Sequence, residues 1–112
     1  MEGAMANATQ SICVVKNTTV AGTRHVAGMA EMAENYRPGD RFALVRDAGN
    51  RFDPWAVEVR DSGNRRVGYV SCECNEFVGR LIDGGKSVDG RLVAREQVGS
   101  WCRLVMEVHL ND

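Results

Sequence analysis

The strictest constraint on the fold is the alternation of apolar and polar side chains in the segment 101–110. Every second residue of this segment is apolar: Cys102, Leu104, Met106, Val108 and Leu110. Successive side chains of a β-strand point to opposite faces, so a period of two places all five on one face. The segment therefore predicts a strand that is buried on one face only.

Other segments predict further strands, because they are rich in β-branched residues or show the same alternation. The predicted strands cover about 11–26, 41–46, 54–60, 65–70, 87–97 and 101–110. Asp61-Ser62-Gly63-Asn64 is a tight polar connection, so the segments on either side of it predict a hairpin. Short strands at this spacing favour a small closed or partly open barrel.

Two short helices are predicted between the strands. The first covers 29–36, because Met29, Met32, Ala33 and Tyr36 recur with helical spacing. The second begins near Ser71, a suitable N-cap, and ends at Gly84-Gly85. We expect Phe77, Leu81 and Ile82 to pack this helix over the barrel. The expected core of the barrel contains Trp55, Val57, Leu104, Met106 and Val108.

Length and charge restrict the class of protein. The 112 residues fit one domain, which we expect to cover 11–112 after a flexible arm at 1–10. Neither a membrane span nor a signal peptide is predicted, so a cytoplasmic location is expected. The net charge of −1 provides no global field for attracting nucleic acid or membranes, and any attraction must come from a local patch.

The residues that most often carry chemistry form no recognisable catalytic or metal-binding motif. Cys72 and Cys74 lack the two-residue gap of a zinc knuckle, and His25 and His109 are distant in sequence. In a chain without an export signal, free thiols are expected rather than disulfides. We therefore expect no enzyme activity, no cofactor and no bound zinc.

The most informative segment is the polar loop in 44–59. Asn50, Arg51, Phe52 and Asp53 follow one another between two predicted strands. Residue types alone favour an interpretation in which Phe52 enters the core and Asp53 caps a turn. The alternative is an exposed aromatic beside an amide and a carboxylate, which suits a flat, hydrogen-bonding partner such as a nucleobase.

Three arginines lie in or beside glycine-bounded segments: Arg24, Arg46 and Arg51. Guanidinium groups bind phosphates bidentately and stack on bases. Cations interleaved with planar rings are typical of sites for single-stranded nucleic acid. Residue types leave open whether these arginines bind a partner or are solvated strand ends.

Three motifs give the chain a resemblance to the HIRAN domain family, in its standalone bacterial form. The motifs are 21–28 (AGTRHVAG), 44–59 (LVRDAGNRFDPWAVEV) and 66–70 (RVGYV). This family occurs in fork-remodelling helicase-like proteins and in other bacterial DNA-processing proteins. The resemblance implies an OB-like β-barrel with a pocket that captures the 3′ end of single-stranded DNA.

The resemblance also implies roles for individual residues. Arg24 and His25 would hold the backbone and stack a base. Asn50, Phe52 and Asp53 would form the pocket, in which Phe52 stacks the terminal nucleotide and Asp53 accepts a hydrogen bond from the free 3′ hydroxyl.

The third motif and two departures from the family pattern complete the implied site. Tyr69 would lie near the terminal phosphate. His25 stands where the best-understood members have tyrosine, and Cys72 stands where they have lysine. Fewer cations weaken attraction to the DNA backbone.

The residues are also compatible with two other functions. One is a protein-interaction module, for example with a DNA-processing partner, in which the pocket is vestigial. The other is a metal-dependent enzyme acting on nucleic acid, which requires carboxylates or Cys and His side chains around one cavity. The sequence does not indicate an oligomeric state.

Overall fold

The computed structural model describes residues 10–111, so the predicted arm at 1–10 lies almost wholly outside the described residues. The strands are β1 (Ser11–Thr19), β2 (Arg41–Arg46), β3 (Val57–Arg60), β4 (Arg66–Tyr69), β5 (Ser87–Val98) and β6 (Trp101–Asn111). The helices are a 3₁₀ turn (Thr23–His25), α1 (Met29–Ala33) and α2 (Asn75–Asp83). No helix among the described residues has the length and apolar character needed to cross a membrane.

All six strands belong to one antiparallel sheet with the order β1-β6-β5-β2-β3-β4. A separate bridge joins the two edges of this curled sheet. The Ala21 amide donates to the Tyr69 carbonyl at 2.8 Å, and the Tyr69 amide donates to the Ala21 carbonyl at 2.9 Å. The prediction of an OB-like barrel with two short helices is therefore confirmed.

The bridge depends on a glycine immediately before Tyr69. A Cβ atom on Gly68 would lie 2.4 Å from the Ala21 carbonyl oxygen and 2.7 Å from Cγ1 of Val20. Both distances are far below van der Waals contact, and one of the opposing atoms belongs to the backbone. The two edges of the sheet therefore approach each other this closely because residue 68 has no side chain.

The interior of the barrel contains the apolar face of β6. Leu104, Met106 and Val108 are fully buried, as is Val57 of β3, which confirms these four core predictions. All four residues predicted to form the apolar face of the first helix are also buried: Met29, Met32, Ala33 and Tyr36.

A buried polar pair connects the α1 region to the turn after β3. The Tyr36 hydroxyl donates to Asp61 at 2.8 Å. Burial and this hydrogen bond raise the pKa of Tyr36 well above its usual value. Burial alone would raise the pKa of Asp61, but hydrogen bonds from the Arg65 amide and Tyr36, together with the Arg65 charge, lower it. Asp61 is therefore ionised and fully partnered at neutral pH.

The predictions for two aromatic residues are wrong: Trp55 is not part of the core, and Phe77 does not pack α2 against the barrel. Trp55 is only half-buried and lies outside the barrel, where Gly79 of α2 allows the helix to approach its ring. Phe77 of α2 is 47% exposed, whereas its neighbour Val78 is fully buried. The face of α2 that packs against the barrel is therefore rotated by one residue relative to the predicted face. Ile82 packs against the core as expected.

Four predicted boundaries are also wrong. The first helix ends at Ala33 rather than at residue 36. The first strand ends at Thr19 rather than Val26, because Gly22 adopts φ 81° and begins the 3₁₀ turn. The third strand begins at Val57, since residues 54–56 belong to the preceding loop. Ser71 caps a turn by accepting the Glu73 amide, and α2 begins only at Asn75.

We expect Gly68→Ala to lower the free energy of unfolding by about 1–3 kcal/mol, because the new methyl group overpacks the contact between the sheet edges. Urea unfolding with comparison of midpoints and m-values measures this change. Gly49→Ala is the control, because its Cβ would meet nothing within 4 Å, and it should change stability by less than about 0.5 kcal/mol. Equal effects of the two substitutions would show that the bridge does not need glycine.

Candidate nucleic-acid interface

A groove of about 510 Å³ lies where the edges of the sheet meet. Three separate chain segments form it: Ala21, two residues after the end of β1, the loop between β2 and β3, and the end of β4 with the turn that follows. The lining residues are Ala21, Asn50, Phe52, Asp53, Ala56, Tyr69, Val70 and Cys72. The bridge between Ala21 and Tyr69 therefore also forms part of the groove.

The loop between β2 and β3 is held in shape by Asn50. Its Oδ1 accepts the backbone amides of Phe52 at 2.8 Å and Asp53 at 2.9 Å. Its Nδ2 donates to the Asp47 carboxylate at 3.1 Å. These backbone amides are therefore occupied within the loop, and they are not free donors for a ligand. The second N–H of the Asn50 amide group has no such partner within residues 10–111.

Asp53 anchors the same loop to α2. Its Oδ1 accepts the Trp55 amide at 2.8 Å, so the predicted turn cap is confirmed. Its Oδ2 accepts Nδ2 of Asn75 at 2.7 Å, and Asn75 is itself buried. An ionised carboxylate has about four acceptor positions, so Asp53 retains capacity for one further donor in the groove.

The favoured interpretation of Phe52 is wrong, because its side chain is 96% exposed. The cause is local: the Asn50 hydrogen bonds fold the chain back at this point and turn the ring away from the barrel. An aromatic ring in water buries no apolar surface in the folded domain, so it contributes little to the stability of the domain. It leaves a flat apolar face available to a partner.

Tyr69 forms the opposite wall and is held by two polar neighbours. Its hydroxyl donates to the Asp47 carboxylate at 3.4 Å and accepts from the Arg66 guanidinium at 3.3 Å. The same guanidinium lies 5.4 Å from the centre of the Tyr69 ring. Cys72 is exposed at the end of this wall.

Arg46 does not face the groove. Its guanidinium donates to both carboxylate oxygens of Asp83, at 3.0 and 3.3 Å, and to the Ala56 carbonyl at 3.1 Å. It also lies 5.0 Å from the centre of the Trp55 ring, and its side chain is only 16% exposed. These contacts attach β2 and the loop to α2, so the structure gives Arg46 a structural position.

The other predicted cations are exposed but lie outside the groove lining. Arg51 is next to Phe52, and its side chain has no ion pair or hydrogen bond with any residue in 10–111. Arg24 lies in the 3₁₀ turn, with its guanidinium 4.9 Å from the centre of the Trp101 ring. His25 follows it, also exposed. The groove thus combines five of the nine predicted site residues: Asn50, Phe52, Asp53, Tyr69 and Cys72.

The thiols differ in their surroundings. Cys72 is exposed, Cys13 and Cys74 are half-buried, and Cys102 is buried, and all four are free. Burial, together with nearby Glu73, raises the pKa of Cys74, against a smaller opposing effect of a hydrogen bond with Thr18. Cys74 is therefore a neutral thiol at physiological pH.

Sequence reasoning missed four residues of this region. Ala21, Ala56 and Val70 line the groove, and Asn75 fixes Asp53. The three apolar residues resemble ordinary strand residues in the sequence. Asn75 and Asp53 are 22 positions apart, so no local pattern links them.

Comparisons with known proteins agree with this geometry. The model of the HIRAN domain family matches residues 14–111. A crystal structure of a protein from Lactobacillus plantarum is 22% identical, with a TM-score of 0.83, and the match covers 93% of this chain and 98% of that one. No curated protein matches the sequence.

Two solved structures of the HLTF HIRAN domain are also similar in fold. The crystal structure of the HIRAN domain of human HLTF is 19% identical with a TM-score of 0.65, and the match covers 91% of this chain and 81% of that one. The NMR structure of the HLTF HIRAN domain is 18% identical with a TM-score of 0.60, covering 91% and 80%.

Proposed function

The chain belongs to the HIRAN domain family, and we propose that it is a single-stranded DNA-binding module that captures free 3′ ends in the groove beside Phe52. The observation that carries this proposal is the 96% exposure of Phe52 on a loop that hydrogen bonds from Asn50 and Asp53 hold in shape. The proposal is one of binding without catalysis, in the cytoplasm.

The first step of binding is stacking of the terminal base on Phe52. Base–aromatic stacking contributes about 1–3 kcal/mol for each base. Because Asn50 and Asp53 already hold the loop, little further loop ordering opposes binding. The ring has few degrees of freedom to lose, so most of the stacking energy is retained.

The second step is recognition of the terminal hydroxyl by Asp53. The carboxylate accepts hydrogen bonds and donates none when it is ionised. Its remaining lone pairs can accept a hydrogen bond from a 3′ hydroxyl. A 3′ phosphate would instead place its negative charge next to that of the carboxylate. Asn50 lines the same groove, and its amide N–H that has no partner within the described residues can donate to an oxygen of the terminal sugar.

The third contribution is a small electrostatic attraction to the backbone. Arg51 supplies a guanidinium beside Phe52 that has no partner within residues 10–111, and Arg24 with His25 supplies a second exposed group. Arg46 does not contribute to this attraction, because its guanidinium is paired with the Asp83 carboxylate. Few phosphate contacts therefore assist the pocket, which makes the terminal nucleotide the main source of affinity.

The second candidate function is a protein-interaction module. The walls contributed by Ala21, Ala56 and Val70 are apolar, and Cys72 adds no charge at the rim. Such a groove also suits an apolar side chain of a protein partner, for example a DNA-processing protein. Salt-independent binding, or no binding of any oligonucleotide, would favour this candidate.

We expect Phe52→Ala to weaken binding of a short single-stranded oligonucleotide by about 1–3 kcal/mol, because one stacking contact is lost. Fluorescence anisotropy with a labelled oligonucleotide measures the affinity. Thermal unfolding should change little, since the ring is exposed. Phe77→Ala is the matched control, because this phenylalanine of α2 is 47% exposed and lies outside the groove lining. If both variants bind like the wild type, Phe52 is not the stacking platform.

The proposed role of Asp53 predicts a preference between chain ends. A 3′-hydroxyl oligonucleotide should bind more tightly than the same oligonucleotide with a 3′ phosphate, while a 5′ phosphate should have little effect. Asp53→Asn should bring the ratio of the two affinities closer to one, because the negative charge that repels the 3′ phosphate is lost. The ratio of the two affinities is measured within each variant, so a loss of stability affects both alike. Equal binding of the two oligonucleotides by the wild-type protein excludes end capture.

The small number of cations predicts a shallow dependence of affinity on salt. Each phosphate contact to a single strand contributes about 0.7 to the slope of log affinity against log salt. Arg51→Ala should reduce the slope by about this amount. Lys86→Ala removes the same charge from an exposed turn outside the groove and should leave the slope unchanged. A slope of zero in the wild-type protein means that the partner is not a polyanion.

A further inference from the structure

A second cluster of potential ligands lies on β1 and β6, away from the groove. The Sγ atom of Cys13, a carboxylate oxygen of Glu107 and a ring nitrogen of His109 all lie within 4.8 Å of one another. Cys13 precedes Ala21 by eight residues, which corresponds to roughly 25 Å along an extended chain. The cluster is therefore separate from the proposed DNA site.

Strand pairing produces this cluster. Cys13 of β1 is the register partner of His109 of β6, so their side chains lie side by side on one face of the sheet. Glu107 is two residues before His109 on the same strand and shares that face. Two hydrogen-bonded strands hold all three residues, so the donor atoms are arranged before any ion binds.

The hydrogen bonds around His109 suit metal coordination. Its Nε2 lies 2.9 Å from Oε1 of Glu107, and its Nδ1 lies 3.4 Å from Oγ of Ser11. A ligating histidine commonly donates its second ring N–H to an oxygen, which fixes the tautomer and the ring orientation. Ser11 is positioned for that role. The side chains of His109 and Glu107 are 14% and 32% exposed, so an ion from solvent can reach them.

We propose that Cys13, Glu107 and His109 bind a divalent transition-metal ion, with zinc as the best fit. Thiolate, imidazole and carboxylate are the ligands that zinc uses in proteins, and three of them with one water complete a tetrahedral site. Ligand atoms around zinc lie about 3.5 Å apart in this geometry. In the cluster, Nε2 of His109 lies 2.9 Å from Oε1 of Glu107, and all the ligand atoms lie within 4.8 Å of one another.

Binding changes protons and charge in a defined way. When the ion binds Nε2 of His109, the single ring N–H of the neutral imidazole lies on Nδ1 and donates to Oγ of Ser11, so the contact between Nε2 and Glu107 is replaced by bonds from both groups to the ion. The Cys13 thiol releases its proton to solvent. The thiolate and the carboxylate then balance the two charges of the ion. The resulting cross-link fastens β1, an edge strand of the sheet, to β6.

Ligand spacing along the chain did not reveal the site, because Cys13 and His109 are 96 positions apart in the sequence.

Cobalt titration of the metal-free full chain tests the proposal. One equivalent of Co²⁺ should produce a thiolate-to-cobalt charge-transfer band and the visible bands of a four-coordinate ion, and Zn²⁺ should displace both. Cys13→Ser should abolish the charge-transfer band and weaken binding about tenfold or more. His109→Gln retains the thiol and should weaken binding to a similar extent.

Controls separate specific binding from binding by other thiols. Cys72→Ser removes the exposed thiol near the groove and should leave the cobalt spectrum unchanged. A cooperative thermal transition of each metal-free variant shows that it is folded, and if Cys13→Ser does not fold, His109→Gln decides the question. Absence of the charge-transfer band in the wild-type protein, or its persistence in Cys13→Ser, overturns the proposal. None of these measurements depends on DNA binding.

Discussion

The close approach of the two sheet edges at Ala21 and Tyr69 is the contact on which the site depends. Two backbone hydrogen bonds form there, and the absence of a side chain at Gly68 makes room for them. The contact closes the barrel and brings the end of β1 beside the end of β4. The groove lies at this junction, so the same contact that joins the two edges of the sheet at one point also forms two walls of the site.

The third wall comes from a loop whose polar side chains are used mainly to hold the loop itself. Asn50 binds two backbone amides, and Asp53 links a turn amide to Asn75 of α2. A loop built in this way can present Phe52 to water without a local hydrophobic contact. Because the loop backbone is already ordered, binding a partner costs little further loop ordering, which is an advantage for a binding site.

The distribution of charge explains how a protein with a net charge of −1 can serve as a nucleic-acid module. Most arginines of the described chain are paired with carboxylates, as Arg46 is with Asp83, and they contribute to the fold rather than to an external field. Arg51 is unpaired among residues 10–111 and lies next to the exposed ring. Under the proposed function, affinity would depend mainly on one nucleotide held beside Phe52, with only a small contribution from long-range attraction to a backbone.

The sequence by itself determined the order of the strands along the chain and the buried faces of β6 and α1, because alternation and helical spacing are local properties. The segments of the proposed site were indicated by the residue types of the loop at 50–53 and by the resemblance to the HIRAN domain family. The exposure of Phe52, the outward position of Trp55 and the pairing of Arg46 with Asp83 were decided only by tertiary structure. Each depends on contacts between residues that are distant in sequence or on a loop conformation fixed by side-chain hydrogen bonds. The same reason applies to Cys13 and His109, whose proximity exists only because β1 pairs with β6.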